Sequence, residues 1–194
     1  MRHPNIVLFM GSAFDPPKLY MVMELCEYGS VMNLYTQIER PDEGVRYGKA
    51  LDLANDICQG GSYLHTHNPP IIHRDLKSEN VLVDGNFVAK ITDFGQSRFN
   101  SKEKTMTACG SPLWTAPEVI RGEKYSEKAD VFSFAIILYE LLTWSLPYPK
   151  DNPHFVMMKV ASEDYRMEIE DEWDPFFKDL VAKCWHPKPD KRPR

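Results

Sequence analysis

Apolar positions change texture along this chain. "NIVLFMGSAF" (5–14) and "KLYMVMEL" (18–25) are short apolar runs rich in strand-forming residues. "DPPK" lies between them, and its Asp and prolines favour a turn, so two antiparallel strands are predicted. After "YGS" the strand texture ends: Ser30 can cap a short helix over 31–39, which "RPDEG" then breaks. From about 44 to 67, Tyr47, Ala50, Leu51, Ala54, Ile57, Cys58, Gly61 and Leu64 recur at steps of three and four, which predicts an amphipathic helix stopped by "HNPP".

Between 71 and 91, "VLV" and "FVAKI" flank "DGN" and predict a small hairpin, because Asp-Gly-Asn tolerates the positive φ of a tight turn. Residues 93–118 have no clean period and are rich in Thr, Ser, Gly and Pro; so long a connection is kept in an ordered domain mainly for function, which marks a candidate switch segment. A helix is predicted from Ser126 to about Thr143. Ten of the twelve residues from Val131 to Leu142 are apolar, on every face, so this helix belongs in the middle of a core. The connector "WSLPYPKDNP" follows, then shorter helices over 153–161 and 175–185. The expected fold class is α+β, mostly helical, with a few small strands toward the N-terminal side.

At 194 residues and 43% hydrophobic, the chain has the size of one globular domain that needs neither disulfides nor a structural metal. Its 23 basic and 28 acidic residues give a net charge of −5 without a basic tract, so neither nucleic acid nor an anionic membrane surface is indicated as a partner. Cys26, Cys58, Cys109 and Cys184 stand more than 30 residues apart, without metal-ligand spacing, and read as reduced thiols of a cytoplasmic protein. "MRHPNIVLFMGS" lacks the features of a signal peptide, and "VFSFAIILYELL", interrupted by Ser133 and Glu140, is too short to span a bilayer.

The chemistry gathers in "HRDLKSEN" (73–80) and just beyond it. Asp75, Asn80 and Asp93 are oxygen-bearing side chains disposed around the predicted hairpin, and hard oxygen ligands suit Mg²⁺ completed by substrate phosphates. Lys77 adds a point cation beside them. A carboxylate near a hydroxyl, a metal near phosphates and a cation on the transferred group would form a phosphoryl-transfer apparatus.

"HRDLKSEN", "DFG" (93–95) and "APE" (116–118) occur in that order, with 18 residues from Asp75 to Asp93 and 25 from Asp93 to Glu118. Together they resemble the catalytic loop, metal loop and activation-segment end of a eukaryotic protein kinase. "HPNIVLFMG" with "HRDLKSEN" is most similar to the tyrosine-kinase-like group that includes Raf and mixed-lineage kinases, and Lys77 with the Ser111-Pro112 pair fits serine/threonine specificity. The resemblance implies ATP and Mg²⁺ as cofactors and protein substrates as partners. Asp75 would be the catalytic base, Lys77 would contact the transferred phosphate, and Asn80 and Asp93 would hold the metal. Met23 would be the gatekeeper, the backbone of Glu24 and Cys26 would face adenine, and Leu82 would pack beneath the ring. Arg74 would receive a phosphate placed on Thr105 or Thr107 by an upstream kinase or by autophosphorylation. His73 and Phe94 would stack in the internal spine, Glu118 would pair with Arg192, and Asp130 would anchor the catalytic loop. Gln96, where Leu is commoner, is a mild departure from the family pattern.

The same resemblance implies a partial domain: residues 1–23 as a remnant of the upper lobe with only two strands, 24–30 as the hinge and 31–194 as the lower lobe. No G-x-G-x-x-G loop and no V-A-I-K-type Lys occurs in the 194 residues. An incomplete record of a full kinase, a truncated non-catalytic binding module and a pseudokinase are the competing readings, and the complete set Asp75, Asn80 and Asp93 favours the first. The 194 residues alone are expected to bind Mg-ATP weakly and to turn over negligibly, since the Lys and its Glu partner are part of an active site of this kind.

Overall fold

The computed structural model describes residues 1–94, 98–99 and 111–194. β1 (Phe9–Asp15) and β2 (Lys18–Met23) pair antiparallel around Pro16 and Pro17, with Asp15 opposite Lys18 and a register shift between Phe9 and Gly11. Apolar side chains of both strands, among them Phe14, Leu19 and Met21, face solvent. Ile6 bridges Ile91 just before this hairpin.

α1 (Val31–Gln37) starts where its sequence says it should: the Ser30 hydroxyl accepts the Asn33 N–H at 3.2 Å, supplying one of the orphan donors of the first turn. α2 (Glu43–His65) buries Arg46, Ala50, Leu53, Ala54, Ile57, Gly60 and Leu64. That stripe is rotated from the predicted one. Leu51 is 48% exposed and Cys58 is exposed, whereas Leu53 is fully buried. Gly60, rather than Gly61, makes the close approach: a methyl group there would stand 2.7 Å from the Asn5 carbonyl and 3.0 Å from the Ile91 side chain.

β3 (Ile71–Ile72) pairs with β6 (Arg98–Phe99), and β4 (Val81–Val83) pairs antiparallel with β5 (Ala89–Ile91). The β4–β5 turn differs in its device from the expected one. Asp84 Oδ1 accepts the N–H groups of Asn86 and Val88, and the residue that takes the left-handed backbone is Phe87, at φ 63°. The Asx-type bonds of Asp84 hold the loop, so the strain falls on a ring packed edge-on to Tyr28 and carrying the Lys49 ammonium on its face.

α3 (Pro117–Ile120) is one short turn that the sequence pattern did not reveal. α4 (Lys128–Thr143) is the central core helix: Phe132, Ile136, Ile137, Leu138, Leu141 and Leu142 are all less than 2% exposed. Each such side chain contributes about 1.5–3 kcal/mol on burial. α5 (Pro153–Ser162) is capped by Asn152 Oδ1, and α6 (Pro175–Cys184) by Asp174. α6 packs on α4, as does α2. Among the described residues no helix is long and apolar enough to cross a membrane.

Candidate active site

The loop 73–80 hangs from one buried carboxylate on the core helix. Asp130, in the first turn of α4, accepts the N–H of His73 at 2.9 Å and of Arg74 at 3.0 Å. The His65 ring stands 2.8 Å from the same carboxylate. Burial works against the ionised form of Asp130, but His65, His73 and the Arg74 N–H outweigh it and hold the carboxyl below the ordinary Asp value. These bonds hold Arg74 at φ 73°, a backbone state costing roughly 1–3 kcal/mol that a non-Gly residue keeps only when its surroundings impose it.

His73 is itself oriented. Its Nδ1 accepts the Asp75 N–H at 3.3 Å, which leaves Nε2 to donate to the Thr92 carbonyl at 2.8 Å. This bond ties the loop to the chain just past β5, beside Asp93 at φ 59°. The Phe94 ring lies 5.4 Å from the imidazole.

Asp75, Lys77 and Asn80 come together. Asp75 is buried, with Oδ2 at 3.8 Å from Lys77 Nζ and 3.3 Å from Asn80 Nδ2. Asn80 Nδ2 also donates to the Asp75 carbonyl at 2.8 Å, and the Asn80 carbonyl accepts the Thr92 N–H at 2.9 Å. With its amide nitrogen committed to Asp75, Asn80 presents its amide oxygen as the remaining polar atom. Asp93, exposed just past β5, brings a carboxylate at the far end of the same link. Among the described residues no three His, Cys, Asp or Glu side chains gather as a metal cage. A set of one amide oxygen and one carboxylate instead fits Mg²⁺, which takes most of its ligands from phosphates and water.

Glu24 follows β2, and its side chain turns inward: Oε1 accepts the Leu8 N–H at 2.7 Å and Oε2 the Lys90 ammonium at 2.8 Å. Burial disfavours the Lys90 ammonium, yet Glu24 and Asp84 raise its pKa above the ordinary value. The Glu24 N–H donates to the Leu8 carbonyl at 3.0 Å. The Glu24 carbonyl and the Cys26 N–H therefore take part in no hydrogen bond among the described residues. Tyr28 N–H to the Val83 carbonyl, and Val83 N–H to the Gly29 carbonyl at 2.8 Å, stitch residues 28–29 to β4. Leu82 of β4 lies beside them, bridged to Ser30, and Met23 is 44% exposed at the end of β2. Thr105, Thr107, Gln96 and Cys109 lie outside the described residues. Of the other cysteines, Cys184 is buried, and burial pushes its thiol up to about 12, consistent with an unreactive thiol.

Beyond 110 the chain returns to the loop. The Ser111 hydroxyl donates to Asp75 Oδ1 at 3.0 Å, and Thr115 Oγ1 donates back to the Ser111 carbonyl at 2.8 Å. Glu118 and Arg192 form a two-pronged ion pair at 2.7 and 2.8 Å with both side chains buried. The sequence marks Ser111 only through the Ser-Pro pair and Glu140 only as an interruption of an apolar run, and it marks neither Lys90 nor Ser78; none of these signals a contact with the loop 73–80 or the hinge. A cavity of about 520 Å³ between α2, α4 and α6 is lined by His65, Leu76, Asp130 and Cys184, and by none of Asp75, Lys77, Asn80 and Asp93.

The profile of the family described as "Protein tyrosine and serine/threonine kinase" matches residues 1–194. Similar proteins cover the whole chain: "Probable serine/threonine-protein kinase SIS8" of Arabidopsis thaliana at 44% identity, "Serine/threonine-protein kinase CTR1" of the same organism at 43%, and "Probable serine/threonine-protein kinase drkC" of Dictyostelium discoideum at 41%. The chain spans 19%, 24% and 26% of their respective lengths. With the loop 73–80, the link to Asp93 and the buried Glu118–Arg192 pair in place, the chain belongs to the protein tyrosine and serine/threonine kinase family.

Proposed function

We propose that the full-length protein carrying these residues transfers the γ-phosphate of ATP to Ser or Thr hydroxyls of protein substrates, using Mg²⁺. The observation that supports this most directly is the convergence of Asp75, Lys77 and Asn80, with Ser111 on the second oxygen of Asp75. Asp75 accepts the proton of the attacking hydroxyl, and Ser111 and Asn80 hold its carboxylate in a fixed orientation. Lys77, partly exposed beside it, places its ammonium on the transferred phosphoryl group. Asn80 and Asp93 would hold the metal. When bound, Mg²⁺ would supply charge neutralisation at the phosphates of ATP.

The backbone of Glu24 and Cys26 would face the adenine edge, Leu82 would pack beneath the ring, and Met23 would be the gatekeeper. Arg74 receives a phosphate carried on Thr105 or Thr107. Residues 1–23 act as part of an upper lobe, 24–30 as a hinge and 31–194 as the lower lobe.

The experiment compares ATP-dependent phosphorylation of a Ser/Thr protein substrate by the full-length protein and by its Asp75→Asn variant. Loss of a positioned base lowers turnover by roughly 10²–10⁴-fold. Equal turnover in the two would sink the assignment.

A further inference from the structure

Glu140 sits in the middle of the most apolar helix of the chain and is 0% exposed. An aliphatic side chain would fill the same space without the desolvation cost of a buried carboxyl. What the carboxyl adds is two oxygens facing two different segments. Oε1 bonds the Ser78 hydroxyl at 2.8 Å, and Oε2 accepts the Trp114 indole N–H at 2.9 Å. Ser78 lies between Asp75 and Asn80 in the loop, and Trp114 follows Ser111, the residue whose hydroxyl reaches Asp75. α4 holds the second segment once more, through the Ser133 hydroxyl on the Trp114 carbonyl at 2.8 Å. Two hydrogen bonds thus run from one carboxyl to the two chain segments that meet at Asp75.

We propose that Glu140 is a positioning residue for phosphoryl transfer: one carboxyl holds the loop 73–80 through Ser78 and the segment 111–115 through Trp114, so that Asp75 and Ser111 stay in register. This rests on the kinase reading above. The groups facing this carboxyl are Ser78 and Glu79 of the loop, Trp114, and Tyr35 of α1, whose buried hydroxyl has no hydrogen-bond partner among the described residues. Burial raises the Glu140 pKa well above the ordinary Glu value, against the pull of Trp114 and Ser78. An indole N–H only donates, so Oε2 must accept; a serine hydroxyl donates or accepts, so Oε1 works with or without a proton. Gln in this place would keep both bonds, with its oxygen on Trp114 and its amide N–H on Ser78. Leu would keep neither.

The test is steady-state phosphorylation by the full-length protein and its Glu140→Gln, Glu140→Leu, Ser78→Ala, Trp114→Phe and Asp75→Asn variants, with thermal melting to give the folded fraction of each. Per folded molecule, Glu140→Gln keeps kcat within roughly threefold, whereas Glu140→Leu and Trp114→Phe lower it roughly tenfold or more with little change in the KM for ATP. Ser78→Ala combined with Trp114→Phe lowers kcat by less than the product of the single effects, because both act through one carboxyl. Should Glu140→Leu fail to fold, Trp114→Phe, which keeps an aromatic ring in place, carries the test. Wild-type kcat per folded molecule in Trp114→Phe, or a Gln variant as impaired as the Leu variant, would overturn the proposal. Equal turnover of the wild type and Asp75→Asn would instead overturn the kinase reading itself.

Discussion

The Ser111 hydroxyl donates to Asp75 Oδ1 across 3.0 Å, joining residues 36 positions apart. A carboxylate with one oxygen on Ser111 and the other near Lys77 and Asn80 has little rotational freedom left. Its direction is then set by the fold.

Removing this hydroxyl should cost rate more than binding. In the full-length protein, Ser111→Ala is expected to lower kcat roughly tenfold, equivalent to about 1.4 kcal/mol, while the KM for ATP changes little. Ser111→Thr, which keeps the hydroxyl, should retain most of the turnover. Steady-state kinetics decide, and an unchanged kcat in the Ala variant would refute the role.

Asp130 links stability to acid. Its carboxyl is depressed below the ordinary value of 3.8, so its contribution is fully present above that pH and is lost as pH falls through the depressed native value. Asp130→Asn removes the charge and one acceptor from a buried site that serves His65, His73 and Arg74, a loss of roughly 3–5 kcal/mol at pH 7. Denaturation curves from pH 7 to pH 3 should show the gap between wild type and variant narrowing on the acid side. A gap independent of pH would contradict it.

The Glu118–Arg192 fork should behave as a buried pair does. Arg192→Leu leaves an uncompensated carboxylate and is expected to cost about 3–5 kcal/mol. At roughly 2–4 °C per kcal/mol for a domain of this size, the melting temperature falls by roughly 6–20 °C. Adding Glu118→Leu should restore part of the loss, because the pair's desolvation is then relieved at both ends. A double variant no better than the single one would argue against this account.

Glu140 has the opposite pH sign from Asp130. Its native pKa is raised, so the stability associated with its neutral form is complete below the ordinary Glu value of 4.5 and declines as pH rises toward the native value. Glu140→Gln, which cannot ionise, should remove that decline. Melting temperatures of the variant and wild type, measured from pH 5 to pH 9, are expected to diverge in favour of the variant toward alkaline pH. Parallel curves would show that the carboxyl carries no such linkage.

Particular residues show where local reading stopped. A period of three to four announces α2 but does not fix its phase: Leu51 is as apolar as Leu53, and only the neighbours decide which of them is covered. The β4–β5 turn was announced by "DGN", yet Asp84 took the role of hydrogen-bond acceptor and Phe87 that of the left-handed residue. Lys90 reaches Glu24 from 66 positions away, and nothing in either local sequence marks the pair.

Strand and helix textures, the Ser30 cap, the all-apolar α4 and the ordered motifs from His73 to Glu118 are properties of neighbouring residues, carried by backbone preference, burial periodicity and residue type at fixed spacing. They were therefore readable from the chain itself. Which oxygen of Asp75 meets Ser111, and why a carboxyl stands at position 140, depend on groups 36 and 62 residues apart brought within hydrogen-bonding distance. Such contacts are selected by packing the whole core at once, because a hydrogen bond of this kind is worth making only where water has been excluded from both partners.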